Sequence, residues 1–242
     1  MTVFVPSLIR RLWDLIFDMD DTFWACNIFY RQADHNCLVI IQEALGMPLD
    51  IQRCIVHARQ VQRATLRRWG FDLNIFENAW VETYYQLAQR HGRRPDPAVA
   101  QLVYTTASAV KDAPYVVYDG VIDTLTDLRQ RRHRLHVLSL GDETFQLSKL
   151  ERNGMTELFN TRHIIQRSKG LKMRLLGSDG QPAMMIGDSL HSDIAPAVKL
   201  GLEAAWVHST DPWGQTDKPI DLSRVHVIRH VRELPAILAH YD

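Results

Sequence analysis

Cysteine is scarce in this chain: Cys26, Cys37 and Cys54 are the three present in 242 residues. Their odd number and lack of C-x-x-C spacing argue against a disulfide framework, no other feature supports a catalytic thiol, and they read as reduced, buried thiols. An excess of charge is missing as well, since 28 Lys and Arg balance 28 Asp and Glu for a formal net charge of +0. That balance removes the electrostatic footprint of a protein that binds nucleic acid or an acidic membrane. The basic run Arg129-Gln130-Arg131-Arg132 then reads as the solvated end of a helix. No stretch reaches the roughly 18 consecutive apolar residues that span a bilayer. Met1 to Leu12 is mildly apolar, but Pro6 and Arg10-Arg11 break the order that a secretion signal requires. A cytoplasmic protein without nucleic-acid or membrane partners is the expectation, with the oligomeric state left open. No phosphate loop ending in G-K-[ST], no G-x-G-x-x-G and no H-E-x-x-H occurs, which removes the common nucleotide-fold and zinc-protease readings.

What is present fits a soluble globular chain, 46% hydrophobic and 23% charged, long enough for one sizeable domain or for a core with a smaller insert. Leu15-Ile16-Phe17 reads as a short buried strand. From about residue 25 to 114 the apolar spacing turns helical. Leu38, Ile41 and Leu45 share a face that stops at Gly46, and a second helix is expected from near Asp50 to Trp69, ending at Gly70. Phe76, Trp80, Tyr84 and Leu87 mark a third, ending at His91-Gly92, and Val99, Leu102, Val103 and Val110 a fourth that starts after Pro97. From Tyr115 the rhythm alternates between strand and helix. Strands are expected at Tyr115–Tyr118, Leu135–Leu140, Arg162–Ile165, Met184–Ile186, Ala204–Val207 and Val225–Ile228, with a helix over Ile194–Leu200 among those between. The fold class that follows is α/β, a doubly wound, mostly parallel sheet with an all-helical insert. The expected domains are residues 1–24 with 115–242 for the sheet and 25–114 for the helices.

Chemistry-bearing residues stand just after the expected strands, where ligands of such sheets bind. The first strand runs into Asp18-Met19-Asp20-Asp21-Thr22, the strand at Leu135–Leu140 ends in Ser139-Leu140-Gly141-Asp142, and another runs into Gly187-Asp188-Ser189-Leu190-His191-Ser192-Asp193. Ser168-Lys169-Gly170-Leu171-Lys172 lies between the last two. Carboxylates gathered at one edge repel one another and lose hydration, and a hard divalent cation with oxygen ligands, Mg²⁺ first, is the usual compensation. Asp142 reads as a helix cap and Asp21 as a hydrogen-bonded neighbour. Phe23 and Trp24 read equally as a wall of the site and as packing between domains.

These motifs, in this order, resemble the haloacid dehalogenase-like superfamily along essentially the whole chain. The pattern is D-x-D-x-[TV] after a strand, a strand ending in Ser or Thr, a lysine, and G-D-x-x-x-x-D after a strand. Tyr118-Asp119-Gly120-Val121 and Lys149-Leu150-Glu151-Arg152-Asn153-Gly154 are also similar to members with a helical cap inserted after the first motif. The resemblance implies a Rossmann-like core with such a cap. It implies that Asp18 is the nucleophile, passing through an aspartyl-phosphate, and that Asp20 is the general acid and base. It also implies Mg²⁺ on Asp18, the backbone carbonyl of Asp20 and Asp188, with Asp193 in support. Thr22, Ser139 and a lysine would bind the phosphoryl group of a small phosphorylated substrate. Lys169 and Lys172 both fit the lysine position, and Lys169 is favoured because its distance to Asp188 is nearer the usual one. Asp20 also separates two chemistries: an alkoxide leaving phosphorus needs a proton, whereas a halide leaving carbon does not. A Mg²⁺-dependent phosphatase is therefore the expectation. A phosphotransferase or mutase on the same residues, a 2-haloacid dehalogenase and a catalytically silent binding protein stand behind it. Leu140 and the short segment from Lys169 to Asp188 depart from the family pattern.

Overall fold

A computed structural model describes residues 11–69, 74–208, 216 and 219–242. In chain order β1 (Asp14–Phe17) is followed by four long helices, α1 (Asn27–Leu45), α2 (Ile51–Trp69), α3 (Ile75–Arg90) and α4 (Pro97–Ser108). Helix α5 (Val121–Gln130), β2 (Arg134–Leu140), α6 (Glu143–Arg152), β3 (Thr161–Ile165), α7 (Gly170–Leu176) and β4 (Ala183–Gly187) come next. Helix α8 (Ala195–Lys199), β5 (Glu203–Val207), β6 (Val225–Ile228) and α9 (Leu234–Leu238) complete the order. The strands form one six-stranded parallel sheet in the order β3-β2-β1-β4-β5-β6.

The sheet is buried on both faces, which is why its central strands are continuous apolar runs rather than alternating ones. Successive side chains point to opposite faces. Leu15 and Phe17 join one core with Leu135, Val137, Met184 and Ile186, under α5 and α9. Ile16 enters another with Leu138, Met185 and Ala204, under α7 and α8. Asp14, at the start of β1, is buried against Arg134 and His136. Helices α1–α4 enclose a third core of their own, built on Cys37, Ile41, Phe76, Trp80, Tyr84 and Val103. The strand order reverses at β1, so the next crossover after β3 passes to the other side and leaves a crevice beyond the carboxyl ends of β1 and β4.

Some elements differ from the sequence pattern. Tyr115–Tyr118 is not a strand of the sheet: Val117 makes a single antiparallel bridge to Trp24, and Tyr118 N–H donates to Phe23 O. Pro114 and local turn bonds leave that segment as a crossing between the sheet and the helices, with Val116 exposed. The fourth helix ends at Ser108, and Val110 lies in a following 3₁₀ turn, Ala109–Asp112. Leu102 faces solvent rather than sharing the buried stripe. A π-helical turn, Leu190–Ile194, replaces the start of the helix expected at Ile194. The expected end of the second helix at Gly70 lies outside the described residues.

Candidate active site

Asp18 directly follows β1 and Asp188 directly follows β4, so the two neighbouring strands deliver both carboxylates to the crevice. The ladder continues one step past β1, with Asp18 N–H donating to Ile186 O at 2.8 Å, and this fixes the position of Asp18. Lys169, at the start of α7, is buried and donates to Asp18 Oδ1 at 2.5 Å and to Asp193 Oδ1 at 2.6 Å. Asp193 is carried by the π-helical turn, a backbone form that often occurs at functional sites. Ser189 N–H holds its other oxygen at 3.1 Å. A Cβ on Gly187 would lie 2.4 Å from Asp193 Oδ2, so only glycine lets this carboxylate close against β4.

Three buried carboxylates, Asp18, Asp188 and Asp193, offer ligand oxygens within 4.8 Å of one another. Burial raises Asp188 well above the usual carboxylate range, and the charges of Asp18 and Asp193 push the same way. Burial also raises Asp193, against the opposing pull of Lys169. Burial would lower Lys169, but Asp18 and Asp193 outweigh it and keep the ammonium charged. One lysine facing three carboxylates leaves negative charge over, and oxygen donors in that imbalance fit a hard divalent cation.

Asp20 is held differently. Lys149 Nζ donates to both of its oxygens at 2.8 and 3.0 Å, Trp24 Nε1 to Oδ1 at 2.8 Å and Gln146 Nε2 to Oδ2 at 2.8 Å. Burial would raise Asp20, yet Lys149 above all, then Gln146 and Trp24, bring it below its ordinary value. Lys149 is itself buried, its Nζ 4.2 Å from the Tyr115 ring centre and 4.5 Å from that of Phe145.

Asp18, Asp20, Ser139, Lys169 and Asp188 line one cavity of about 180 Å³, with Asp193 directly behind. Helices α1–α3 and the 3₁₀ turn after α4 close its other side with Tyr30, Arg59, Gln62, Glu77 and Lys111. Two residues of the motif set are not brought to it. The Thr22 hydroxyl is buried and lacks a partner among the described residues, and Thr22 lines a separate recess with Tyr118, His208 and His230. Lys172 does not line the cavity, so geometry selects Lys169 of the two candidates. His191 is exposed and also off the wall. Asp142 caps α6 through Phe145 N–H, and Asp21 accepts from the N–H groups of Cys26 and Asn27.

A sequence profile of haloacid dehalogenase-like hydrolases matches residues 15–201. The chain belongs to the haloacid dehalogenase-like hydrolases. Within this family of enzymes it is 24% identical, over 205 residues, to a glyceraldehyde 3-phosphate phosphatase of Methanothermobacter thermautotrophicus, covering 81% of this chain and 85% of the relative. The fold matches a haloacid dehalogenase-like hydrolase from Xanthomonas campestris with a TM-score of 0.79 at 22% identity, over 98% of this chain and 94% of that one. It also matches the L-2-haloacid dehalogenase of Xanthobacter autotrophicus with a TM-score of 0.60 at 15% identity, over 96% and 100%. One fold thus carries both chemistries, and the side chains at the site must separate them.

The sequence pattern assigns no role at Asp20 to Gln146, Lys149 or the Trp24 indole, which the structure brings to that carboxylate. Gln146 and Lys149 are three residues apart on a helix that starts just beyond Ser139, so helical spacing places both on the face turned toward the site. Lysine within an otherwise buried helix face was the available signal.

Proposed function

We propose that this hydrolase is a Mg²⁺-dependent phosphatase acting on a small phosphomonoester through an aspartyl-phosphate on Asp18. The observation that carries the reading is Asp20, which shares the cavity wall with Asp18 two residues after it. A departing alkoxide needs a proton from such a group; a departing halide does not. The phosphatase relative supports a small phosphorylated substrate.

In this mechanism Asp18 attacks phosphorus, and Lys169 neutralises charge on Asp18 and on the phosphoryl oxygens. Ser139, buried at the end of β2, donates its hydroxyl to a phosphoryl oxygen. Asp20 protonates the leaving oxygen and afterwards takes a proton from the water that hydrolyses the aspartyl-phosphate; its anionic form, held by Lys149, matches the second half of the cycle. Asp18, Asp188 and the Asp20 carbonyl would hold Mg²⁺, with Asp193 in support, and the bound ion would supply positive charge against the phosphoryl oxygens. Residues 25–114 act as a cap whose closure excludes bulk water. The three free, buried cysteines agree with a reducing cytoplasm.

The test is release of inorganic phosphate from a set of small phosphomonoesters, with Mg²⁺ and with chelator, beside Asp18→Asn. Turnover should require the metal and fall by roughly 10³-fold or more in the variant. An Asp18→Asn protein with full activity, or halide release from 2-haloacids in place of phosphate release, would overturn the reading.

A further inference from the structure

We infer that Lys149, with Gln146 and Trp24, is a positioning clamp that aims Asp20 at the leaving group. The inference rests on the phosphatase reading and adds three residues whose hydrogen bonds hold Asp20. The site divides two buried lysines between tasks: Lys169 serves Asp18 and Asp193, whereas among the described residues the hydrogen bonds of Lys149 to carboxylate go to Asp20 alone. Donors reach both Asp20 oxygens from two directions, Lys149 and Gln146 from α6 and Trp24 from the chain just beyond the motif. That arrangement fixes the rotation of the carboxylate as well as its place.

Stability alone does not call for this arrangement. Burying an ammonium costs more than burying a methionine of similar length, and exchanging a buried ion pair for apolar packing is often neutral or stabilising. The surroundings of Lys149 would accept such an exchange, since Tyr115 and Phe145 wrap its end. Gln146 packs directly on Gly141, which has φ +149° and where a Cβ would stand 2.9 Å from Gln146 Cγ. Gln146 Nε2 also donates to Leu140 O at 2.9 Å, which ties the clamp to the end of β2 beside Ser139. A carboxylate that delivers a proton must be aimed, because misplacement of a catalytic group by about 1 Å can cost 10²-fold.

The dependence of rate on the leaving group separates aiming from scaffolding. An alkyl phosphate such as glycerol phosphate expels a strongly basic alkoxide and needs the proton; p-nitrophenyl phosphate expels a weak base and needs it far less. The ratio to measure is the loss of kcat/KM on the first over the loss on the second, in the whole Mg²⁺-loaded protein. Lys149→Met should lose at least about tenfold more on glycerol phosphate than on the aryl ester, within the usual 10²–10⁴-fold worth of proton transfer. Asp20→Asn should show the same bias, and Lys149→Arg should recover part of it. Trp24→Phe and Gln146→Leu should reproduce the bias more weakly, and they decide the matter if Lys149→Met does not fold. Equal losses on both substrates, or none on either, across the folded clamp variants would overturn the clamp. Failure of the phosphatase reading would look different, as hydrolysis that survives Asp18→Asn.

Discussion

The two walls of the cavity are charged on opposite plans. The sheet-edge wall crowds Asp18, Asp188 and Asp193 around Lys169 and keeps negative charge in excess. The helical wall pairs its cations locally: Arg59 with Asp34 at 2.6 Å, and Lys111 with Glu77 at 2.5 Å. Trp80 Nε1 also donates to Asp34, and Lys111 also to Asn74 Oδ1. The first wall keeps that excess until something cationic arrives, which is what the proposed metal and phosphoryl chemistry requires. The second is complete in itself and needs no ion to stand. The same residue types therefore have opposite energetic signs on the two sides, and substitutions should show it.

The largest effect is expected on the balanced wall. Glu77 is fully buried, and Lys111→Met would leave its carboxylate without the neighbouring ammonium. Breaking a buried pair in this way costs about 3–5 kcal/mol. Urea unfolding should show that loss, and adding Glu77→Gln should restore most of it; a single variant within about 1 kcal/mol of the parent would show that the pair is not a unit.

Next comes the seam of the unbalanced wall. Gly187→Ala puts a Cβ into Asp193 and forces that carboxylate off Lys169, for about 1–3 kcal/mol of overpacking together with lost phosphatase activity. An alanine variant with parental stability and turnover would mean that Asp193 has room to shift.

The smallest effect has the opposite sign. Asp188→Asn removes one of the mutually repelling carboxylates, so the metal-free protein should gain about 1 kcal/mol while losing its stabilisation by Mg²⁺. A carboxylate raised in the folded state favours folding at low pH, and that contribution is lost as pH rises through its folded value. For Asp193 this window runs from 3.8 to about 6, and Asp188 is shifted in the same direction. The gain from Asp188→Asn should accordingly be small near pH 4 and grow as pH rises. Thermal melts across that range, with and without Mg²⁺, would check both parts; destabilisation without metal would place Asp188 among balanced groups.

The two walls also differed in how far they could be read from the sequence. Asp18, Ser139 and Asp188 were legible because each follows a short apolar run, and parallel strands bring their carboxyl ends to one edge whatever the loops do. Lys169 could be distinguished from Lys172 only in space: Lys169 stands at the cap before the first residue of α7 and lines the cavity, whereas Lys172 lies within the helix and does not. Thr22 had the right spacing, but the tight turn after Asp20, with Asp21 at φ 57°, directs it to another recess. Arg59 and Lys111 lie far apart in sequence on helical elements whose facing surfaces depend on how α1–α4 pack, and no local pattern marks them.

Sequence by itself determined the parallel α/β architecture, the helical segment after the first motif and the carboxylates at the strand ends. Each of these follows from periodicity or from a position immediately next to a strand. Tertiary structure decided which lysine meets Asp18, that Lys149 meets Asp20 and that the opposite wall is neutralised in pairs. Those outcomes depend on distances between segments up to 151 residues apart, as between Asp18 and Lys169, which only packing brings within reach of a hydrogen bond.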